Sequence, residues 1–455
     1  MRKALRIAAM TLLIAALLVP LGGASAQLTY SSAFQLQNLS GNEADITITF
    51  YNQDGTVAAT VPDTIAANGS KTYFATTVAG LPDSFTGSAV VLSSEDIRAI
   101  HNLTANDMAF GASSAGYTAG ATLLSAPLIM RGNSGFNTWF NVQNAGDSDA
   151  TVQVTFTAGS SGSNFTPAPV TIAPGAAHTF DQATMSELGD RFIGSASIES
   201  TNGVPIVASV VEVGPNTLFA YDAFTTGNQE TFAPLFMFNN SGYISGFQIQ
   251  NTDTSNATDV TVTYTPSQAG VACTETQRIQ PGSSGTFGLA AFTQAGQDCF
   301  EKNGTGRFIG SASVTGNSAG VELVGLLNQL NSAAAKGSAY STFLPTDAQQ
   351  CVSLPLLMAK NSGFYTGFSI VNIGADTTID IDYSGGTTGD ENDVAIASGE
   401  ALVRSTDAVF AERFVGSGTV CGANPTDQLL VVVNELRTTG QGDTFFTYNG
   451  FGFTP

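Results

Sequence analysis

The sequence predicts an all-β protein: four tandem β-sandwich domains behind an N-terminal export signal. Three observations carry this. Landmark segments recur four times in the same order, residues inside them alternate apolar and polar with period two, and turn residues separate them. The chain has 455 residues, of which 43% are hydrophobic and only 11% charged, so it has the apolar content for packed cores and is not a disordered polyelectrolyte.

The first element is the leader. Residues 1–26 begin with Arg2, Lys3 and Arg6, continue through an apolar run from Ile7 to Val19, break at Pro20, and end at Ala24-Ser25-Ala26. This is the pattern of a signal peptide cleaved after Ala26. The run is shorter than the roughly 20 apolar residues that span a bilayer, and no later segment is long enough, so no membrane insertion is expected. The expected location is secreted, extracellular or at the cell surface.

The repeat is set by Phe85, Phe192, Phe308 and Phe414, spaced 107, 116 and 106 residues apart, in SFTGSAV, RFIGSAS, RFIGSAS and RFVGSGT. Upstream stand AFQLQN, WFNVQN, GFQIQN and GFSIVN, then ITITF, VQVTF, VTVTY and IDIDY, then turns ending at Gly69, Gly175, Gly282 and Gly399. Downstream come the apolar runs from Ile97, Val204, Val321 and Leu429. Each landmark reads as a strand with one buried face. PLIM, PLFM and PLLM, each followed by Asn-Ser-Gly-aromatic, open copies two to four; YDAF, YSTF and YNGF close them. Copy one lacks the opening. The expected domains are residues 27–122, 123–229, 230–349 and 350–455, joined as a stiff rod.

In FIGSASI the alternation puts Phe192 and Gly194 on the core face. The same reading applies to Phe85 and Gly87, Phe308 and Gly310, and Phe414 and Gly416. Glycine inside a strand marks close approach, and rings such as Phe140 and Phe156 are expected to fill the space. Ser195 and its counterparts would need a base to act as nucleophiles. Histidine stands only at His101 and His178, at unrelated places in their copies, so no catalytic residues are assigned and no enzyme is expected. GNSAG at Gly316–Gly320 lies between strands and reads as a turn.

Cys273, Cys299, Cys351 and Cys421 suit an exported chain, and the repeat favours Cys273–Cys299 and Cys351–Cys421 among three connectivities. No C-x-x-C spacing points to zinc. The acidic stretches Gly389–Glu400 and Gly146–Thr151 carry the oxygen ligands Ca²⁺ takes, without EF-hand spacing; no other cofactor is expected. A net charge of −21 argues against nucleic acid.

These patterns resemble the tandem immunoglobulin-like modules of secreted and surface bacterial proteins. The resemblance implies a spacer, adhesive or surface-layer role, with a cell-surface polymer or another surface protein as partner. An alternative is carbohydrate or polymer binding at module ends, with Phe136, Tyr243 and Phe364 as sugar platforms. Self-association is a further expectation, by adding the C-terminal YNGFGFTP strand to the bare first module. Specific function is expected where the copies differ, in Gly159–Pro167, Gln268–Gln277 and Gly385–Asp393.

Overall fold

The computed structural model describes residues 10–14, 28–82, 84–288, 306–384, 389–437 and 442–454. Among the described residues the alternating segments form strands, eight in each of the first three modules and nine in the fourth. In the second module these are Leu123–Arg131, Asn137–Asn144, Ala150–Ser161, Val170–Ile172, Ala177–Asp181, Phe192–Ser200, Ile206–Val213 and Leu218–Asp222. The fourth, third, sixth and first strands form one antiparallel sheet, and the fifth, second, seventh and eighth form the other. All four modules keep this order. Phe140, Val154, Phe156, Phe192 and Ile198 are fully buried between the two sheets of this module.

The strand order corrects the immunoglobulin expectation. An immunoglobulin domain sets its first two strands in one sheet. Here the first strand pairs with the sixth and the second with the seventh, in opposite sheets. The Asn-Ser-Gly turn makes the crossing. Ser134 and Gly135 both have positive φ, 52° and 88°, which is a type I′ turn. Phe136 N–H donates to the Asn133 carbonyl at 2.8 Å. Beyond the turn the strands splay, and the Thr138 hydroxyl bridges them by accepting from Met130 N–H at 3.0 Å. Ser245 and Thr366 do the same for Met237 and Met358.

The first module takes its first strand from the leader. Met10–Ile14 pairs antiparallel with Gly87–Ser93 along the edge that the PLxM strands occupy elsewhere. At the far end, Phe451–Phe453 adds to the edge of Cys351–Ala359 within its own module. In the uncleaved chain both strands that the expected self-association would use are engaged; cleavage after Ala26 would remove Met10–Ile14 and leave the edge of Gly87–Ser93 open.

The modules do not line up as a rod. The eighth strands, Phe110–Ala115, Leu218–Asp222, Lys336–Ser341 and Phe445–Asn449, gather around one axis, each against the eighth strands of both neighbours, and the fourth packs on the first. The chain thus closes into a ring. Its modules pack head to tail: Leu326 and Ala339 of the third complete the core of the second, Leu430 and Val432 of the fourth that of the third, and Ile100 of the first that of the fourth. Apolar side chains on the outward face of each seventh strand need cover, and the next core supplies it. A rod would leave them in water at one end.

Candidate functional site

The motif RFIGSAS proves to be both core and seam. A Cβ on Gly194 would lie 2.2 Å from the Thr157 carbonyl oxygen and 2.8 Å from the Phe192 ring. The ring folded over this glycine is thus that of Phe192 itself, two residues earlier, rather than Phe140 or Phe156 as expected. Phe156 instead meets Phe192 edge-on at 6.4 Å. Gly87 and Gly416 are likewise covered by Phe85 and Phe414, and Gly310 by the Thr265 carbonyl. The serine that follows leaves the module. Ser195 Oγ donates to the Gly282 carbonyl of the third module at 2.7 Å, Ser311 to Gly399 of the fourth at 3.5 Å, and Ser88 to Gly175 of the second. Among the described residues no corresponding bond joins Ser417 to Gly69; a cavity of about 220 Å³ lined by Ser417 and Asn68 lies there.

Three landmarks that are distant in sequence meet at each module end. Arg191 donates to Asn133 Oδ1 at 2.9 Å, Arg307 to Asn240 at 2.6 Å and Arg413 to Asn361 at 2.9 Å. The same asparagines donate to the sulfur of Met130, Met237 and Met358. The tyrosines of YDAF, YSTF and YNGF donate to the Leu128, Leu235 and Leu356 carbonyls at 2.7, 2.6 and 2.6 Å. Copy one lacks both PLxM and this tyrosine, the two partners of that bond. By register Ser114 replaces the tyrosine there, and His101 is buried with neither ring nitrogen paired among the described residues. Desolvation pushes the His101 imidazole down to about 4.

One residue ties the ring together. Asp443 of the fourth module is fully buried on the axis. Its N–H donates to the Ala109 carbonyl of the first module at 2.6 Å. Its carboxylate accepts from Leu218 N–H of the second and Gly337 N–H of the third, each at 2.9 Å. Burial pushes this carboxyl up to about 8 against the pull of those donors and of Lys336. At the opposite end of the eighth strands a funnel of about 230 Å³ is lined by all four modules, with Asp222 in its wall. Burial pushes Asp222 up to about 7, opposed by the Ser209 hydroxyl and Ala115 N–H.

Two larger clefts open between modules. One, about 530 Å³, lies between the second and third and is lined by Met130, Phe136, Glu212, Phe219, Gly246 and Asn328 among others. The other, about 800 Å³, lies between the fourth and first, and includes Met358, Phe364, Glu435, Phe446, Ala33 and Asn102. Register makes these walls equivalent: Glu212 pairs with Phe219, and Glu435 with Phe446. The aromatic pairs match as well, Phe136–Phe219 and Phe364–Phe446 each at 6.0 Å. A Thr-to-Gln-to-Ser relay backs both: Thr286, Gln248 and Ser284 in one, Thr72, Gln35 and Ser70 in the other. Glu212 and Glu435 are single acids at matching places in the aligned runs VPIVASVVE and LLVVVNE, a signal that sequence reasoning passes over because each run is otherwise apolar.

The expected platforms Phe136 and Tyr243 are half-buried and Phe364 is buried. Each packs on another ring, with Tyr243 edge-on to Phe445 at 5.5 Å. Cys351 and Cys421 are bonded, across directly paired positions of two strands. Cys273 opens the strand Cys273–Ile279, and its expected partner Cys299 lies outside the described residues. So do residues 385–388 of the Gly385–Asp393 loop. In the acidic stretches, Asp390 accepts from Tyr383 N–H and Glu391 pairs with Arg404 at 2.9 Å. Among the described residues no group of three or more His, Cys, Asp or Glu is placed to hold a metal, and no helix is long and apolar enough to cross a membrane.

The fold class these features define is an all-β chain of repeated two-sheet modules closed into a ring. No protein-family description matches the chain, and no curated relative does. Among solved structures, a crystal structure of Thermotoga maritima 1070 is 23% identical, covering 24% of this chain and 96% of that one, with a TM-score of 0.20. A tetra-tandem repeat from the extending region of a large adhesion protein is 12% identical over 92% of this chain and 93% of that one, with a TM-score of 0.09.

Proposed function

We propose that the chain is a non-enzymatic exported protein with a structural or adhesive role, and that its working unit is the closed ring. The observation that carries this is Asp443, one buried side chain and backbone bonded to all three other modules. Such a lock favours one rigid body that holds its surface loops in fixed relation. Export is supported by the basic-apolar-AxA leader and by the disulfide Cys351–Cys421. The non-enzymatic reading is supported by Ser195, whose hydroxyl is buried and donates to a carbonyl in the next module. The partner in this reading is a cell-surface polymer or another surface protein. An open sugar platform built from Phe136, Tyr243 and Phe364 finds no support in their packing.

The test is fractionation of cells expressing the full chain, with mass spectrometry of the N-terminus. The expected result is protein outside the cytoplasm beginning at Gln27. Cytoplasmic protein that keeps Met1 would overturn the export reading. Small-angle scattering of the same material distinguishes a compact ring from an extended rod.

A further inference from the structure

The two matching clefts go beyond a structural role. Their meaning is clearest beside the junctions that lack them. One position before the buried phenylalanine of the second strand stand Ala33, Trp139, Gly246 and Gly367. Two positions beyond that phenylalanine's partner in the seventh strand stand Leu103, Glu212, Gln329 and Glu435. At the first-to-second junction, Trp139 is 4% exposed, meets Tyr30 edge-on at 5.8 Å, and packs with Leu103 and Ala112. An indole fills the space and leucine stands in place of the acid. At the third-to-fourth junction, Gln329 is buried and satisfied by Asn434 and Thr447. The other two junctions have a small residue, Gly246 or Ala33, facing a buried glutamate.

Those glutamates are unfinished as structural elements. Glu212 is 0% exposed and Glu435 1%. Asn328 Nδ2 donates to Glu212 Oε2 at 2.9 Å, while Oε1 of both glutamates has no partner among the described residues. A buried polar atom without a partner is costly, and a chain that seals the same site with Trp139 and Leu103 does not need it for packing. Burial pushes both carboxyls up to about 8. Near neutral pH each is therefore the protonated acid, with a hydroxyl to donate. The accessible surface of each wall is mainly apolar, with Arg191 and Asn328 among the polar groups of one and Arg437, Asp107 and Asn102 among those of the other, and the volumes of about 530 and 800 Å³ are those of small-molecule sites.

We propose that these clefts are two equivalent binding sites for a small, uncharged, largely apolar molecule that presents one hydrogen-bond acceptor to Glu212 or Glu435. The aromatic pairs Phe136–Phe219 and Phe364–Phe446 wall its apolar body. Gly246 and Ala33 leave the room that Trp139 takes at the sealed junction.

The probe is Nile red, which is neutral, flat and apolar and carries a carbonyl acceptor. Fluorescence titration of the full chain is expected to saturate at two dye molecules per chain. Gly246→Trp and Ala33→Trp copy the molecule's own plug; each is expected to remove one site, and the pair both. A Cβ on Gly246 meets nothing nearer than the Phe287 carbonyl at 3.8 Å, so the side chain has room to start. Circular dichroism melts check folding, and Gly246→Leu and Ala33→Leu, expected to weaken uptake at their own site, replace any variant that does not fold. Glu212→Gln with Glu435→Gln keeps a donor and is expected to hold affinity within about threefold. Three results would overturn the proposal: no saturable uptake, a stoichiometry untouched by the plugging variants, or uptake abolished by the glutamine pair.

Discussion

The junction between the first and second modules and the one between the second and third use the same positions to opposite ends. Trp139 and Leu103 seal the first; Gly246 and Glu212 leave the second open around a buried acid. The backbone frame is alike, because the same strands pair in the same register. Two side chains thus decide whether a junction is a core or a cleft. Strand pairing sets where the modules meet, and side-chain volume sets what is left between them.

The largest expected effect breaks the sealed side. Trp139→Ala should cost about 3–5 kcal/mol in chemical denaturation, as other large-to-small core changes do. It should also turn that junction into a third apolar cleft, read as one more equivalent of Nile red. A variant as stable as the parent would mean that the indole fills no space.

The lock on the axis comes next. Asp443→Ala leaves Leu218 and Gly337 N–H groups buried without acceptors, a loss of roughly 2–4 kcal/mol. Scattering should show the ring loosened where the fourth module meets the second and third, since the backbone bond to Ala109 of the first remains. An unchanged urea midpoint would remove Asp443 from the account of ring closure.

The pH response separates open from sealed junctions. Glu212 and Glu435 have folded pKa values raised from 4.5 to about 8. Their contribution is fully present below the unfolded value and is lost as pH rises through about 8. Asp222 and Asp443 act in the same direction. His101, lowered to about 4, acts only below its unfolded value of 6.5. Between pH 6.5 and 9 the melting temperature should therefore fall by several degrees. Glu212→Gln with Glu435→Gln should flatten that fall by about half, since Asp222 and Asp443 still titrate toward the same end of the range. A profile unchanged by the pair would show that neither carboxyl titrates in this window.

The smallest effect lies in the seams. Ser195→Ala removes one bond across the second-to-third junction and should cost about 0.5–1.5 kcal/mol. Ser417→Ala, at the seam without that bond, should change nothing measurable. Equal losses in the two variants would deny the seam its role.

Much of this was legible in the letters. Alternation in VTVTY put Val260, Val262 and Tyr264 on one face, and all three are fully buried. Asn-Ser-Gly marked a turn, and Ser134 and Gly135 adopt it. PLxM and its partner tyrosine were visible as landmarks missing together from copy one, though not as hydrogen-bond partners. The rod was the wrong inference, because short links permit a rod and a ring equally. The sockets at Gly194 and its counterparts were legible as close approaches, but the ring that covers Gly194 was not the one expected.

The sequence by itself determined the module, its strands, its turns and its count, because each rests on neighbours within a few residues or on a repeat that can be aligned. Only the tertiary structure decided the strand order, the closure of the ring, and the pairing of Glu212 with Glu435 as walls of like clefts. Gln35 and the Pro355 carbonyl bond across 320 residues. A two-residue period records that a side chain is covered, but not which distant module covers it or whether that cover leaves a gap.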